Sequence, residues 1–317
     1  MNASSSVDPI VMTRRSALHD GETDVGLARR RRRGELFSLR PGVYLSATHH
    51  EQVRHESRHR LLALATQWVV ASDACFSHAS AAVLHGIPLW SVPLDRVQMT
   101  RPGVNGGHRR KTLHVHMSRI TDEDITVLDG IPVTTPARTV VDLARTVGFE
   151  QAVAIADAAL FLGLTTTEEL SAQVGRAARY RGIARARRVV SFADGRSESV
   201  GESRSRVLLT AAGVAPVDLQ AVMRNERGGF LGRVDFLFAG RRTIGEFDGE
   251  MKYGRLSADP ARTVFDEKVR EDGLREAGFA VVRWTWRDLV DPAQLAARIR
   301  RAIPRQVGSG GTRAPVA

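Results

Sequence analysis

Cysteine is almost absent from the sequence: there is one, Cys75, in 317 residues. A lone thiol excludes an intramolecular disulfide framework and every multi-cysteine zinc site, and it is expected to be a small buried hydrophobe. Long apolar runs are missing as well. The richest stretch, LLALATQWVVASDACF from Leu61 to Phe76, is interrupted by Gln67, Ser72 and Asp73 and falls short of the roughly 18 residues that a spanning helix needs. No membrane partner is expected. The opening MNASSSVDPIVMTRRSALHDG lacks a continuous apolar segment followed by a small-residue cleavage site, so no signal peptide is read there and a cytoplasmic protein is expected. Lysine is scarce too: only Lys111, Lys252 and Lys268 among 46 basic residues.

What is present is arginine, alanine and enough apolar residues for more than one core. At 43% hydrophobic over 317 residues, two or three domains are expected. The net charge of +11 favours a polyanionic partner. DNA is preferred to an anionic membrane surface because no basic amphipathic surface helix is visible.

Residues 1–8 read as a disordered lead. From residue 9 to 48 the pattern is a short helix, a second helix capped by Thr23 or Asp24 with Val25 and Leu27 as its apolar positions, a stop at Gly34, and an alternating LFSLRPGVYL hairpin. That order predicts a winged helix-turn-helix, with Arg29, Arg30, Arg31, Arg32 and Arg33 at a helix end and Arg40 at the wing, within reach of phosphates. Against this stands the ordinary fate of a charge run, which is to be solvated. Residues 55–194 alternate helix and strand without a catalytic constellation. His114 and His116 share a strand face but lack a third ligand, and His50, His55 and His59, near helical spacing, are expected to be solvated. Residues 197–303 run helix, strand, hairpin, helix, strand, helix, an α/β layer. The tail, 304–317, is linker-like and expected to be disordered.

The stretch RVDFLFAGRRTIGEFDGEMKY, residues 233–253, carries the chemistry. A two-residue turn at Gly240 and Arg241 sets Asp235 opposite Glu246, and Asp248 points the same way because side chains alternate along a strand. Like charges facing one another destabilise a sheet, and an uncompensated buried carboxylate costs several kcal/mol. Something positive must fill the gap. A hard divalent ion, Mg²⁺ or Mn²⁺, suits an all-oxygen site; the alternative is an ion-pair network in which Arg233, cross-strand from Asp248, and nearby arginines neutralise the cluster.

Glu202 on a preceding helix, Asp235 on one strand and Glu246-Phe247-Asp248 on the next resemble the PD-(D/E)XK nuclease-like superfamily, in particular the branch related to very-short-patch repair endonucleases. The following FDEKVREDGLREAGFAVVRWTW, with Asp266, Arg270 and Arg283, is similar to that branch. The resemblance implies a restriction-endonuclease-like domain with a mixed sheet, a metal held by Asp235, Glu246 and Asp248, and Glu202 as a further ligand. It departs from the pattern at Asp248, which stands where the superfamily usually has lysine. Lys252 or Lys268 is left to supply that charge. The segments RRGELFSLRPGVYL, FSHASAAVLHGIPLW and DGIPVTTPARTVVDLAR resemble the antitoxin of AbiE-type toxin-antitoxin systems. That resemblance implies operator binding, autorepression and a cognate toxin. Three readings are therefore weighed: a DNA-binding, metal-dependent endonuclease, which is preferred; an autorepressing antitoxin whose nuclease-like domain is inactive; and a basic α/β protein with ion-paired carboxylates and no nucleic-acid role.

Overall fold

The computed structural model describes residues 11–48, 55–67, 73–103, 106–249 and 260–303. The expected lead, His50, Lys252 and the tail lie outside the described residues, as does the side chain of Asp266. The chain forms two compact units, Met1–Ala193 and Asp194–Ala317, both mixing helices with sheet. No described helix is long and apolar enough to cross a membrane.

The first unit begins with β1 (Val11–Thr13), α1 (Arg14–His19), α2 (Asp24–Arg32), β2 (Leu36–Arg40) and β3 (Val43–Ser46). The strands form an antiparallel sheet in the order β1-β3-β2. Local chemistry sets these bounds. The Thr23 hydroxyl accepts the Gly26 amide as the N-cap of α2, and Gly34 at φ +73° stops the helix. Ala17, Leu27, Leu36 and Tyr44 close a small core. Val25, expected to face it, is 65% exposed, because two residues of helix place it about 200° around the axis from Leu27.

After α3 (His55–Gln67), a six-stranded mixed sheet runs in the order β6-β7-β5-β4-β9-β8. Its members are β4 (Cys75–Phe76), β5 (Val97–Pro102), β6 (His108–Arg109), β7 (Leu113–Ser118), β8 (Ile125–Leu128) and β9 (Ile131–Thr134). Helix α4 (His78–Leu84) enters between β4 and β5, and α5 (Pro136–Thr146), α6 (Phe149–Phe161), α7 (Thr167–Arg176) and α8 (Ile183–Phe192) follow the sheet. Phe76, Val97, Met99, Ile131 and Val133 anchor its core. His59 corrects the expectation of solvated histidines. It is buried, with Nδ1 2.9 Å from the Leu94 carbonyl oxygen and Nε2 2.8 Å from Ser80 Oγ, since helical spacing shows which residues share a face but not whether that face is covered.

The second unit contains α9 (Val200–Ala211), β10 (Asp218–Arg224), β11 (Phe230–Leu237), β12 (Thr243–Phe247), α10 (Pro260–Glu276), β13 (Ala280–Trp284) and α11 (Pro292–Ala302). The sheet order is β10-β11-β12-β13, with the last pair parallel. The turn between β11 and β12 is a 3-10 turn, Ala239–Arg241 with Gly240 at φ +76°, longer than the two residues expected. The register is nonetheless the expected one: Phe236 lies opposite Gly245 and Leu237 opposite Ile244. Strand β11 also starts earlier than the sequence suggests and pairs with β10.

Two cores flank this sheet. Leu219 and Phe236 join a cluster with Leu209 of α9 and Leu295 of α11. Their near neighbours Ala221 and Val234 join a different cluster, with Leu274 of α10. Side-chain alternation therefore slips between those pairs, at Gln220 and Asp235. Gln220 sits there at φ +52°, a left-handed backbone that a non-glycine residue rarely takes in a strand.

Candidate functional site

The slip positions a cavity of about 390 Å³ lined by Glu202, Asp235, Glu246 and Asp248, with Gln220, Arg270 and Arg283 among the other lining residues. Glu202 is delivered by the first turn of α9. Its carboxylate accepts hydrogen bonds from Ser199 Oγ at 2.7 Å, the Glu198 amide at 3.0 Å and Gln220 Nε2 at 2.8 Å. Burial, reinforced by the charge of Asp235, still pushes its pKa above the ordinary carboxylate value. Asp235 accepts the Phe247 amide at 2.9 Å and Gln220 Nε2 at 3.4 Å. Gln220 thus bridges two carboxylates. The sequence carries no signal for that role, which comes from a backbone outlier and a tertiary approach.

Glu246 is buried and held by two guanidinium groups, Arg270 at 2.8 Å and Arg283 at 3.0 Å. Burial raises its pKa while these arginines pull it down. Arg233 plays a different part from the one expected. It pairs with Glu198 at 2.5 Å, because the β11–β12 ladder joins only Phe236 and Leu237 to their partners and does not extend to Arg233 and Asp248. Asp248 lies just past β12, half-buried on the cavity wall. Lys268 is exposed and is not a lining residue.

The donor set is all oxygen, as a hard divalent cation prefers. As arranged, however, it does not fit one: each Glu246 oxygen faces an arginine, and no three His, Cys, Asp or Glu side chains among the described residues stand at ion-holding spacing.

In the first unit, Arg29, Arg31 and Arg32 of α2 are exposed and make no ion pair among the described residues. Arg30 is tied to Glu22 at 2.8 Å and Glu35 at 3.4 Å, and Arg33 approaches Glu35 at 3.9 Å. Arg40 is half-buried, donates to the Ala65 carbonyl at 3.1 Å and has its pKa lowered by burial. His114 and His116 do lie together, with ring centroids 3.8 Å apart, and His116 stacks on His78 at 3.9 Å. Cys75 is buried and its thiol is pushed up to about 11 by burial.

A further constellation has almost no signature in the sequence. Buried Arg138 pairs with Asp142 at 2.7 Å and Asp124 at 2.8 Å, and Gln173 donates to Asp124 at 3.1 Å. The i,i+4 spacing of Arg138 and Asp142 is its only local trace.

Residues 73–192 match the family described as AbiEi antitoxin C-terminal domain. Within that span the chain is similar to the antitoxin domain, and both of its units mix helices with sheet. Two proteins of Mycobacterium tuberculosis, "Uncharacterized protein MT2308" from strain CDC 1551 / Oshkosh and "Uncharacterized protein Rv2248" from strain ATCC 25618 / H37Rv, are each 31% identical over 227 residues, covering 71% of this chain and 80% of theirs. The chain belongs to the family of these two mycobacterial proteins. The crystal structure of RV2827C protein from Mycobacterium tuberculosis is a remote likeness, 17% identical with a TM-score of 0.38 over 58% of this chain and 72% of that one.

Proposed function

We propose that the protein is a DNA-binding regulator of the antitoxin type. In this reading residues 9–48 are a winged helix-turn-helix that grips operator DNA, the domain at 55–194 meets a cognate toxin, and the nuclease-like domain at 197–303 is silent. The match to the antitoxin domain over residues 73–192 carries the reading. It is supported by the exposed Arg29, Arg31 and Arg32 on α2, followed by an antiparallel strand pair. The test is fluorescence anisotropy on the promoter of its own operon at physiological salt, with unrelated duplex as competitor. Binding that resists the competitor and is lost when Arg29 to Arg33 become glutamine is expected; equal affinity for any duplex would overturn the reading.

A second reading, a Mg²⁺- or Mn²⁺-dependent endonuclease, is favoured by the convergence of Glu202, Asp235, Glu246 and Asp248 on one cavity. It takes Asp235, Glu246 and Asp248 as metal ligands and Lys252 or Lys268 as the source of positive charge, and it requires the ion pairs on Glu246 to open. Plasmid nicking in the presence of Mn²⁺ that disappears in Asp235→Ala is its expected signature. Nicking that survives the substitution would sink it.

A further inference from the structure

Each cavity arginine has a different set of ties. Arg233 is taken by Glu198, and Arg283 is shared between Glu246 at 3.0 Å and Glu271 at 3.1 Å. Arg270 pairs with Glu246 and with no other carboxylate among the described residues, and it donates from Nη1 to the Arg233 carbonyl oxygen at 3.1 Å. Its stem lies over Gly232. A Cβ at that position would stand 3.0 Å from Arg270 Cδ and 3.3 Å from Cγ, so the bare backbone at φ +155° makes the berth for the arginine.

We propose that Arg270 is an autoinhibitory counter-ion: it occupies the place beside Glu246 that a divalent cation would take, and its departure opens the cavity to that ion. The proposal rests on the second reading above. Glu202, Asp235 and Asp248 remain on the cavity wall, so the site is silenced by an added cation and not by the loss of its carboxylates. Without Arg270, four carboxylates would face one shared guanidinium, an excess of negative charge that a divalent ion offsets and a monovalent side chain does not. Arg270 can also leave. Its side chain is as exposed as that of Arg283, 29% against 28%, but it has one carboxylate partner among the described residues where Arg283 has two.

The experiment is calorimetric titration of Mn²⁺ into the full-length protein, Arg270→Gln, and Arg270→Gln combined with Glu246→Gln, with circular dichroism to verify folding. Arg270→Gln is expected to bind Mn²⁺ at least tenfold more tightly than wild type, and the double variant to lose that gain. Arg270→Lys, which keeps the charge but loses the fork, is expected to fall between wild type and Arg270→Gln, and it carries the same comparison if the glutamine variant does not fold. Mn²⁺ binding that is equal or weaker in both Arg270 variants overturns the inference while leaving a cation site in place. No binding in any folded variant overturns both the inference and the metal reading. Neither outcome touches the promoter-binding test, which reads the other unit.

Discussion

His78 shows how a single residue can be held at a cost by its surroundings. At φ +51° it occupies the left-handed region, which costs an ordinary residue roughly 1–2 kcal/mol. It is nevertheless buried, with Nδ1 3.0 Å from Ser77 Oγ and its ring stacked on His116. Burial pushes its pKa down to about 4 from 6.5, with Asp142 pulling it up and Arg145, Arg138 and His114 pushing it further down. A depressed histidine pKa means that the folded state prefers the neutral ring. Its contribution to stability is therefore complete above pH 6.5 and is lost as the pH falls towards 4. By pH 5 the loss from this residue should be about 2 kcal/mol. His78→Asn tolerates the backbone and cannot ionise. Unfolding free energies measured from pH 7 to 5 should therefore show a shallower acid slope in the variant, by close to one proton. An identical slope would show that His78 does not titrate with unfolding.

At the scale of elements, the second unit depends on how closely α9 approaches β12. Gly201, in the first turn of α9, has no room for a side chain: a Cβ would lie 1.9 Å from Phe247 Cε1 and 2.3 Å from Cζ. Phe247 cannot easily give way, because it is buried and set edge-on to Trp286 at 4.9 Å. Alanine would favour the isolated helix by up to about 1 kcal/mol, but overpacking costs roughly 1–3 kcal/mol. Gly201→Ala should therefore destabilise the unit by about 1–2 kcal/mol in urea unfolding and displace Glu202 from the cavity; an equal or higher stability would show that the helix simply shifts. The same element shows how much of the site is legible in the sequence. The slip of alternation at Gln220 and Asp235 is not written in a period of two, and Glu202 is expected only from the nuclease-like resemblance; the register of Phe236 on Gly245 and Leu237 on Ile244 does follow from a local turn. The partners of Glu246 do not, because Arg270 and Arg283 come from a later helix and a parallel strand. Gln220 is invisible for the same reason, and the inward turn of Arg40 depends on α3 lying beside β2.

For the whole molecule the question is whether a net charge of +11 acts as a diffuse total or through placed residues. If the protein binds DNA as proposed, a diffuse charge predicts that removing any arginine of the run weakens that binding equally. The structure separates them: Arg31 is exposed, whereas Arg30 bridges Glu22 and Glu35. An arginine committed to carboxylates has little left to offer a phosphate, and releasing it would cost the pairs that fix α2 to its flanks. Removing one arginine–phosphate pair should lower the slope of log affinity against log salt by about 0.9. Arg31→Gln should therefore reduce the slope by close to that amount, and the combined Arg29→Gln, Arg31→Gln, Arg32→Gln variant by roughly three times as much. Arg30→Gln should leave the slope unchanged while lowering the melting temperature, since its role is internal. The measurement is anisotropy across a salt series on one duplex. If Arg30→Gln and Arg31→Gln reduce the slope alike, charge number and not position governs binding, and α2 loses its claim to be the DNA-facing helix.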